Sequence, residues 1–483
     1  MPCASGPGVL STGRTDLSLR ATSRNVHLTS ASRKGNTSET LGPSAVLDAF
    51  CPSARANFWG GFGYTAAMTI DARLLAQDEA LCAVGPRIKV LSRLSWPEHV
   101  VEEFLADWRR GQPTLPNVEY PRDDYFDVAQ DALIHIQNKT QGVDDPLYRY
   151  VHDTADSYAH AAELLNAAGT PRFLEISRDL YGDPYDRVPG TRLTHFETAA
   201  QLLDVTDSLR AASAHEEDLV CLTAESVRDE IQHRTDPFFG EHKLEIVVDA
   251  NLASKAAASA QRIRIRGRTS FSSADIEQLI EHEAFIHSAT SINGRLQRLR
   301  CFSLAAPRTT PTQEGLATLA ELITGSMDIS RLRRLALRIG GVKRAIEGAD
   351  FIDVFRYFLD YGQTEDESAR SAMRVFRGGD PRGRVAFTKD VVYLHGLIGV
   401  HTFLRRAISD GRVELIPRLF AGRLTLGDVI RLGPAFDSGD LTPGRYIAPW
   451  ASDPRRLAAY LAFSLVLNRI NIGNVQLESL LER

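Results

Sequence analysis

The chain has 483 residues, of which 43% are hydrophobic and 24% charged, with a net charge of −5 at pH 7. These values suit an ordinary globular protein of two or three domains and argue against a general nucleic-acid binder, which would be basic. Five scattered cysteines (Cys3, Cys51, Cys82, Cys221 and Cys301) include no CxxC pair. Neither a cysteine zinc ribbon nor a disulfide framework is expected, and a reducing cytoplasm is the simplest compartment.

Residues 1–67 are rich in Ser, Thr and Arg and poor in bulky apolar side chains. Such a segment cannot offset its ordering entropy by burial, so disorder is expected. An organelle transit peptide shares this composition; a translation start at Met68, where globular composition begins, is the favoured alternative. Residues 68–235 give mostly helical signals. In SWPEHVVEEFLADWRR, Val100, Phe104 and Trp108 recur every four residues, and a similar pattern runs from Phe196 to Leu209. No catalytic constellation is visible there. In the third part, 236–483, KLEIVVD and QRIRIRG read as a short strand pair. Ser272 and Ser273 can cap the next helix, with Asp275 and Glu277 in its first turn. Helical signals then continue to the end, broken at RGGDPRGR and DSGDLTPGR. The apolar run LAAYLAFSLVLN (457–468) is too short to cross a bilayer and reads as a buried helix. The expected fold class is α+β, mainly α.

The chemistry concentrates in LIEHEAFIHSATSING. At ~100° per residue, Ile276, Leu279, Ile280, Glu283 and His287 share one helix face. Burying unpaired polar groups in that stripe costs roughly 2–7 kcal/mol each, so they need a partner. One solution is structural, because Glu283 and His287 are an i,i+4 pair that can bond to each other. The other is a metal held by His282 and His287. In the usual HExxH helix the two ligands are i,i+4. Here they are i,i+5, about 140° apart on a regular helix, which is too divergent to chelate. A metal site therefore requires an extra residue wound into the helix, a π-type widening around Glu283 to Ile286.

A catalytic zinc usually takes three protein ligands. Downstream, in RTTPTQEGLATLAELITG, Thr310 and Gln313 fit a capping box and Pro311 the first helical position. Leu316, Leu319, Ala320 and Ile323 form the apolar stripe. Glu314 and Glu321 share the opposite face, which is commonly solvated. Gly315 costs ~1 kcal/mol inside a helix relative to Ala, and so calls for close approach by another element. Glu314 is within reach as a third ligand from this following helix.

Taken together, HEAFIH, TSING, TQEGLA, RVFRGG and FTKDVVYLHG resemble the QEGLA-motif family. Its bacterial members are labelled flavohemoglobin-expression modulators, and it includes the eukaryotic microtubule-associated tyrosine carboxypeptidases. The resemblance runs from about Pro97 to the C-terminus. It implies a zincin-like zinc metallocarboxypeptidase in which His282, His287 and Glu314 hold Zn²⁺. Glu283 would be the general base, taking a proton from water and passing it to the leaving amine. The substrate would be a peptide or protein C-terminus, with tyrosine a candidate terminal residue. Such an enzyme must grip the terminal carboxylate, which a guanidinium does bidentately. Arg374, Arg377 and Lys389 are the candidates, and Tyr393 the candidate oxyanion donor. For each, an ordinary ion pair or surface role is the alternative.

Two rival readings remain: a regulatory or scaffold zinc protein of the same fold, and a zinc hydrolase acting on a non-peptide amide. Only a carboxypeptidase needs the carboxylate grip. RGGDPRG lacks the GK[ST] ending of a phosphate loop, so nucleotide binding is not expected. The basic helix RLRRLALRIGGVKR reads first as a solvated face, with steering of an acidic tail as an alternative. Cys221 and Cys301 read as small core residues. His395 and His401 are too far apart to chelate and receive no role. No membrane or nucleic-acid partner is expected, and oligomeric state is open.

Overall fold

The computed structural model describes residues 70–213, 221–250, 252 and 255–467. The segment 1–67 lies outside the described residues. The described residues all belong to one compact unit. The chain is mainly helical with one small sheet.

The helices form where the apolar spacing predicts them. Glu98–Arg109 buries Val100 and Phe104, and His195–Ser213 covers the second predicted pattern. Buried contacts cross from this first half to the rest of the chain. Asp78 accepts the backbone N–H groups of Arg300 and Cys301 at 2.9 and 2.7 Å. Tyr150 donates its hydroxyl to the Arg423 carbonyl at 2.9 Å. Ser177 and Thr388 exchange hydrogen bonds at 2.8–3.0 Å.

The strand pair is in fact a three-stranded sheet: β1 (Glu245–Asp249), β2 (Ala256–Ala258) and β3 (Arg262–Arg266), in the order β1-β3-β2. The two predicted strands are parallel neighbours, Ile246 opposite Ile263, while β2 closes antiparallel on β3. Three alanines carry no β-branched signal, so β2 is set by pairing with β3 and not by its own propensity. Ser288 donates to the Ser259 carbonyl in the β2–β3 turn at 2.9 Å, tying the sheet to the histidine helix.

The crossing of Thr310–Thr324 against Val391–Ser409 determines what reaches the core. Here the close approach expected at Gly315 is present. A Cβ on Gly315 would lie 2.3 Å from the Gly396 carbonyl, and one on Gly396 2.0 Å from the Pro311 carbonyl. The capping box expected at Thr310 is absent. The Pro307–Thr309 turn feeds straight into the helix, Thr309 is the N-cap, and Gln313 instead accepts from Thr290 at 2.8 Å. The C-terminal helix Pro454–Leu467 also departs from expectation: it buries Leu457 and Leu461 but exposes Tyr460 and Phe463. Among the described residues, no helix is long and apolar enough to cross a membrane.

His195 and His395 stack with ring centroids 4.5 Å apart. Both His195 ring nitrogens and His395 Nδ1 are buried without a hydrogen-bond partner among the described residues. Burial, then the neighbouring His395, lowers His195 to about 4, against the pull of Asp186. The native state therefore favours neutral His195, while the unfolded chain protonates near its ordinary value of ~6.5. This contribution to stability is complete above about pH 6.5 and is lost as pH falls towards 4.

Two outcomes are expected. Gly315→Ala forces a methyl into the backbone of Gly396 and should cost roughly 1–3 kcal/mol, read from urea unfolding. His195→Phe should remove the histidine component of acid destabilisation, so that stability between pH 6.5 and 4 declines less steeply than in the parent chain.

Candidate metal centre

Ile280–Ser288 is a π-helix, so the widening required by the i,i+5 spacing is present. It continues the Ser273–Leu279 helix, which Ser272 caps in a reciprocal box with Asp275. The extra residue per turn brings His282 and His287 onto one side, with ring centroids 4.8 Å apart. Both histidines point at one carboxylate oxygen. Glu314 Oε2 lies 3.5 Å from His282 Nε2 and 3.8 Å from His287 Nε2. One donor atom from each of the three residues falls within 4.8 Å of the other two. The alternative bond between Glu283 and His287 is not formed. Glu283 is half-buried and makes no hydrogen bond or ion pair with any described residue, although its field reaches His282 and Arg423.

Three further residues orient the cluster. Glu321, expected on a solvated face, is fully buried and accepts from His282 Nδ1 at 2.6 Å. That bond places the proton of a neutral His282 on Nδ1 and leaves the Nε2 lone pair towards Glu314. Arg331 spans both oxygens of Glu321, its Nη2 sharing Oε1 with His282 at 2.6 Å and its Nε bonded to Oε2. Part of the basic helix is thus interior: Arg331 pairs with Glu321, and buried Arg333 with Asp207 at 2.6 Å. Lys389 holds the other oxygen of Glu314 at 3.1 Å and lies 3.5 Å from the Tyr393 hydroxyl.

The charges follow from these contacts. Burial opposes ionisation of His282, but Glu314, Glu321 and Glu283 outweigh it and raise the imidazole to about 10. Burial likewise opposes a charge on Glu314, yet Lys389 and the two histidines hold it well below the usual carboxylate range. Glu321 is lowered to about 2, with Arg331 and His282 overcoming burial. The surrounding carboxylates therefore favour a proton on His282, and a divalent cation entering here would displace it.

The predicted carboxylate grip divides. Arg374 donates to both oxygens of Asp390, at 2.8 and 2.6 Å, so its fork is filled from within the protein. Lys389 is engaged by Glu314. Arg377 differs: it is 7% exposed, its Nε has no hydrogen-bond partner, and it makes no ion pair with a described carboxylate. Burial, then the charge of Arg374, pulls it down to about 10. Its guanidinium lies 5.5 Å from the centroid of Phe387, two residues before Lys389. Burial pushes the Tyr393 phenol up, but Lys389 and Arg374 more than offset this and leave it below its ordinary value.

Sequence reasoning reached His282, His287, Glu283 and Glu314, and the structure gathers them. It missed Glu321, whose only signal was the i,i+7 spacing from Glu314, and the buried Arg423 described below. Fold and residues together define a mainly helical protein whose core holds a His–His–Glu donor cluster, with Glu283, unpartnered among the described residues, on the same helix as both histidines. A sequence model of the family described as microtubule-associated tyrosine carboxypeptidase matches residues 102–469, and the chain belongs to that family of carboxypeptidases. No individual curated protein matched.

Removing Glu321 leaves Arg331 as an uncompensated buried charge and His282 Nδ1 unbonded. Glu321→Ala should therefore destabilise the fold by roughly 3–5 kcal/mol in chemical denaturation. Arg331→Met with Glu321→Met together should recover most of that loss.

Proposed function

We propose that the protein is a zinc-dependent carboxypeptidase with a zincin-like centre, removing one residue from a peptide or protein C-terminus. The observation that carries this is the convergence of three donors on one point. Zinc–nitrogen distances of ~2.0–2.1 Å in a tetrahedron set neighbouring donors ~3.4 Å apart. The 3.5 and 3.8 Å separations from Glu314 Oε2 to the histidines suit that spacing. A two-His, one-Glu set with a carboxylate–histidine partner in Glu321 is also the donor chemistry of hydrolytic zinc sites. Bound there, zinc would supply Lewis acidity and lower the pKa of water towards ~7.

The chain's own groups divide the rest of the work. Glu283 has no competing partner among the described residues, so its carboxylate is free to take a proton from the attacking water and return it to the leaving amine. Lys389 fixes Glu314 through its second oxygen and keeps it ionised. Arg377 is the group that grips the substrate carboxylate, because burying an unmatched guanidinium is unfavourable until an anion arrives. Arg374, held by Asp390, supports that pocket from behind. Tyr393, with its phenol flanked by cations, is a hydrogen-bond donor for the oxygen that becomes negative. The terminal residue removed is proposed to be tyrosine, following the family's description, and the expected compartment is the cytoplasm.

A peptide series tests this reading. Free-acid peptides ending in tyrosine, phenylalanine, glutamate or alanine are incubated with the zinc-loaded protein, and released amino acids are measured by mass spectrometry. Single-residue release by the parent chain and none by Glu283→Gln is expected; equal release by both would remove Glu283 from the chemistry. Arg377→Ala should lose cleavage of free-acid peptides at least tenfold, whereas cleavage of C-terminal amides, expected to be slow in the parent chain, should change little. Equal loss on both would sink the grip assignment.

A further inference from the structure

Three arginines are buried among the described residues: Arg333, Arg377 and Arg423. Arg333 has Asp207 and Arg377 is assigned above, which leaves Arg423 to be explained. It is 8% exposed, its Nε has no partner, and no described carboxylate lies within ion-pair distance. Its one side-chain hydrogen bond is from Nη2 to the His287 main-chain carbonyl, 3.0 Å away, at the end of the π-helix.

The segment carrying it is fixed at nearly every peptide. Asn293 donates to the Phe420 carbonyl at 2.7 Å and Gln297 to that of Ala421 at 2.9 Å. The Arg423 N–H donates to the Phe302 carbonyl at 2.7 Å, and the Arg423 carbonyl accepts from Tyr150. Gly422 makes room for this path, since a Cβ there would lie 2.8 Å from the Phe302 carbonyl. A buried, unmatched charge is thus held rigidly against the helix that carries Glu283 and both histidines. Burial lowers Arg423 below the ordinary arginine value, and Glu314 and Glu283 are among the groups opposing this. A hydrophobic side chain of similar length would suit the folded state at least as well. The charge therefore needs a purpose outside stability.

We propose that Arg423 is a further catalytic group, whose guanidinium stabilises the oxyanion formed at the scissile carbonyl. The inference rests on the carboxypeptidase reading. In the step concerned, a water oxygen bonds to the carbonyl carbon, Glu283 takes the proton, and the C=O π electrons move onto oxygen. A preorganised cation is worth most at that moment, because it need not reorient and is itself largely removed from solvent. When the C–N bond breaks, the electrons return to the carbonyl and the proton passes from Glu283 to the amine. The negative charge that Arg423 meets is then gone, so its effect belongs to the transition state and not to substrate binding.

The test compares the parent chain with Arg423→Met and Arg423→Lys, all zinc-loaded, on one free-acid peptide. Zinc content, metal-free thermal unfolding, and kcat and KM are measured together. For Arg423→Met we expect kcat to fall about 10²–10³-fold with KM within a few-fold. Zinc content should be unchanged and metal-free unfolding no lower than in the parent. Arg423→Lys should recover part of kcat. A rise in KM at constant kcat would overturn the proposal in favour of ground-state binding. A loss of zinc or of metal-free stability would overturn it in favour of holding His287 or the fold. Should the parent chain itself bind no zinc or release no amino acid, the carboxypeptidase reading fails first, which is a distinct result.

Discussion

One extra residue wound into a helix governs the arrangement of this core. At five-residue spacing, a regular helix would send His282 and His287 to different sides. The π-helix Ile280–Ser288 returns them to one side and presents both Nε2 atoms to Glu314. A π-turn is less favourable than an α-turn, so its persistence needs surrounding support. That support is visible at both ends. The Ser272–Asp275 box fixes the approach, and the bond from Ser288 to the β2–β3 turn fixes the exit.

The second constraint is the glycine crossing. Gly315 and Gly396 let two helices approach until their backbones touch, and the same crossing brings the helix of Glu314 and Glu321 beside the one that carries Tyr393. Glu314 faces the histidines with one oxygen and Lys389 with the other. Glu321, two turns on, reaches behind His282 to fix its proton. The crossing thus serves the donor set and its outer support together. The two buried arginines without carboxylate partners, Arg377 and Arg423, complete the pattern. A protein that keeps such charges inside does so at a cost in stability, and anions arriving from outside are the natural compensation.

Much of this was legible in the sequence because local spacing carried it. A metal site on the i,i+5 histidines required a widened helix, and Gly315 called for a close neighbour; both features are present. The two longer strands announced themselves by Ile and Val. What escaped depended on contacts distant in sequence. The Glu314–Glu321 face looked solvated, because nothing near it tells that His282 and Arg331 will enclose it. Arg374 and Arg377 are three residues apart on or beside one helix and were read alike, but Asp390 fills one and not the other. Arg423 carries no motif at all; its backbone segment is held by Tyr150, Asn293, Gln297 and Phe302, all distant in sequence.

His282, His287 and Glu314 are proposed to form a single zinc site. Its most direct test is zinc stoichiometry by elemental analysis after dialysis against a defined free-zinc buffer, for the parent chain beside Glu314→Ala. Near one zinc per chain in the parent, falling sharply in the variant while the circular dichroism stays native, is the predicted result. A parent chain that holds no zinc after reconstitution would contradict the account and leave the cluster as a buried, hydrogen-bonded polar pair.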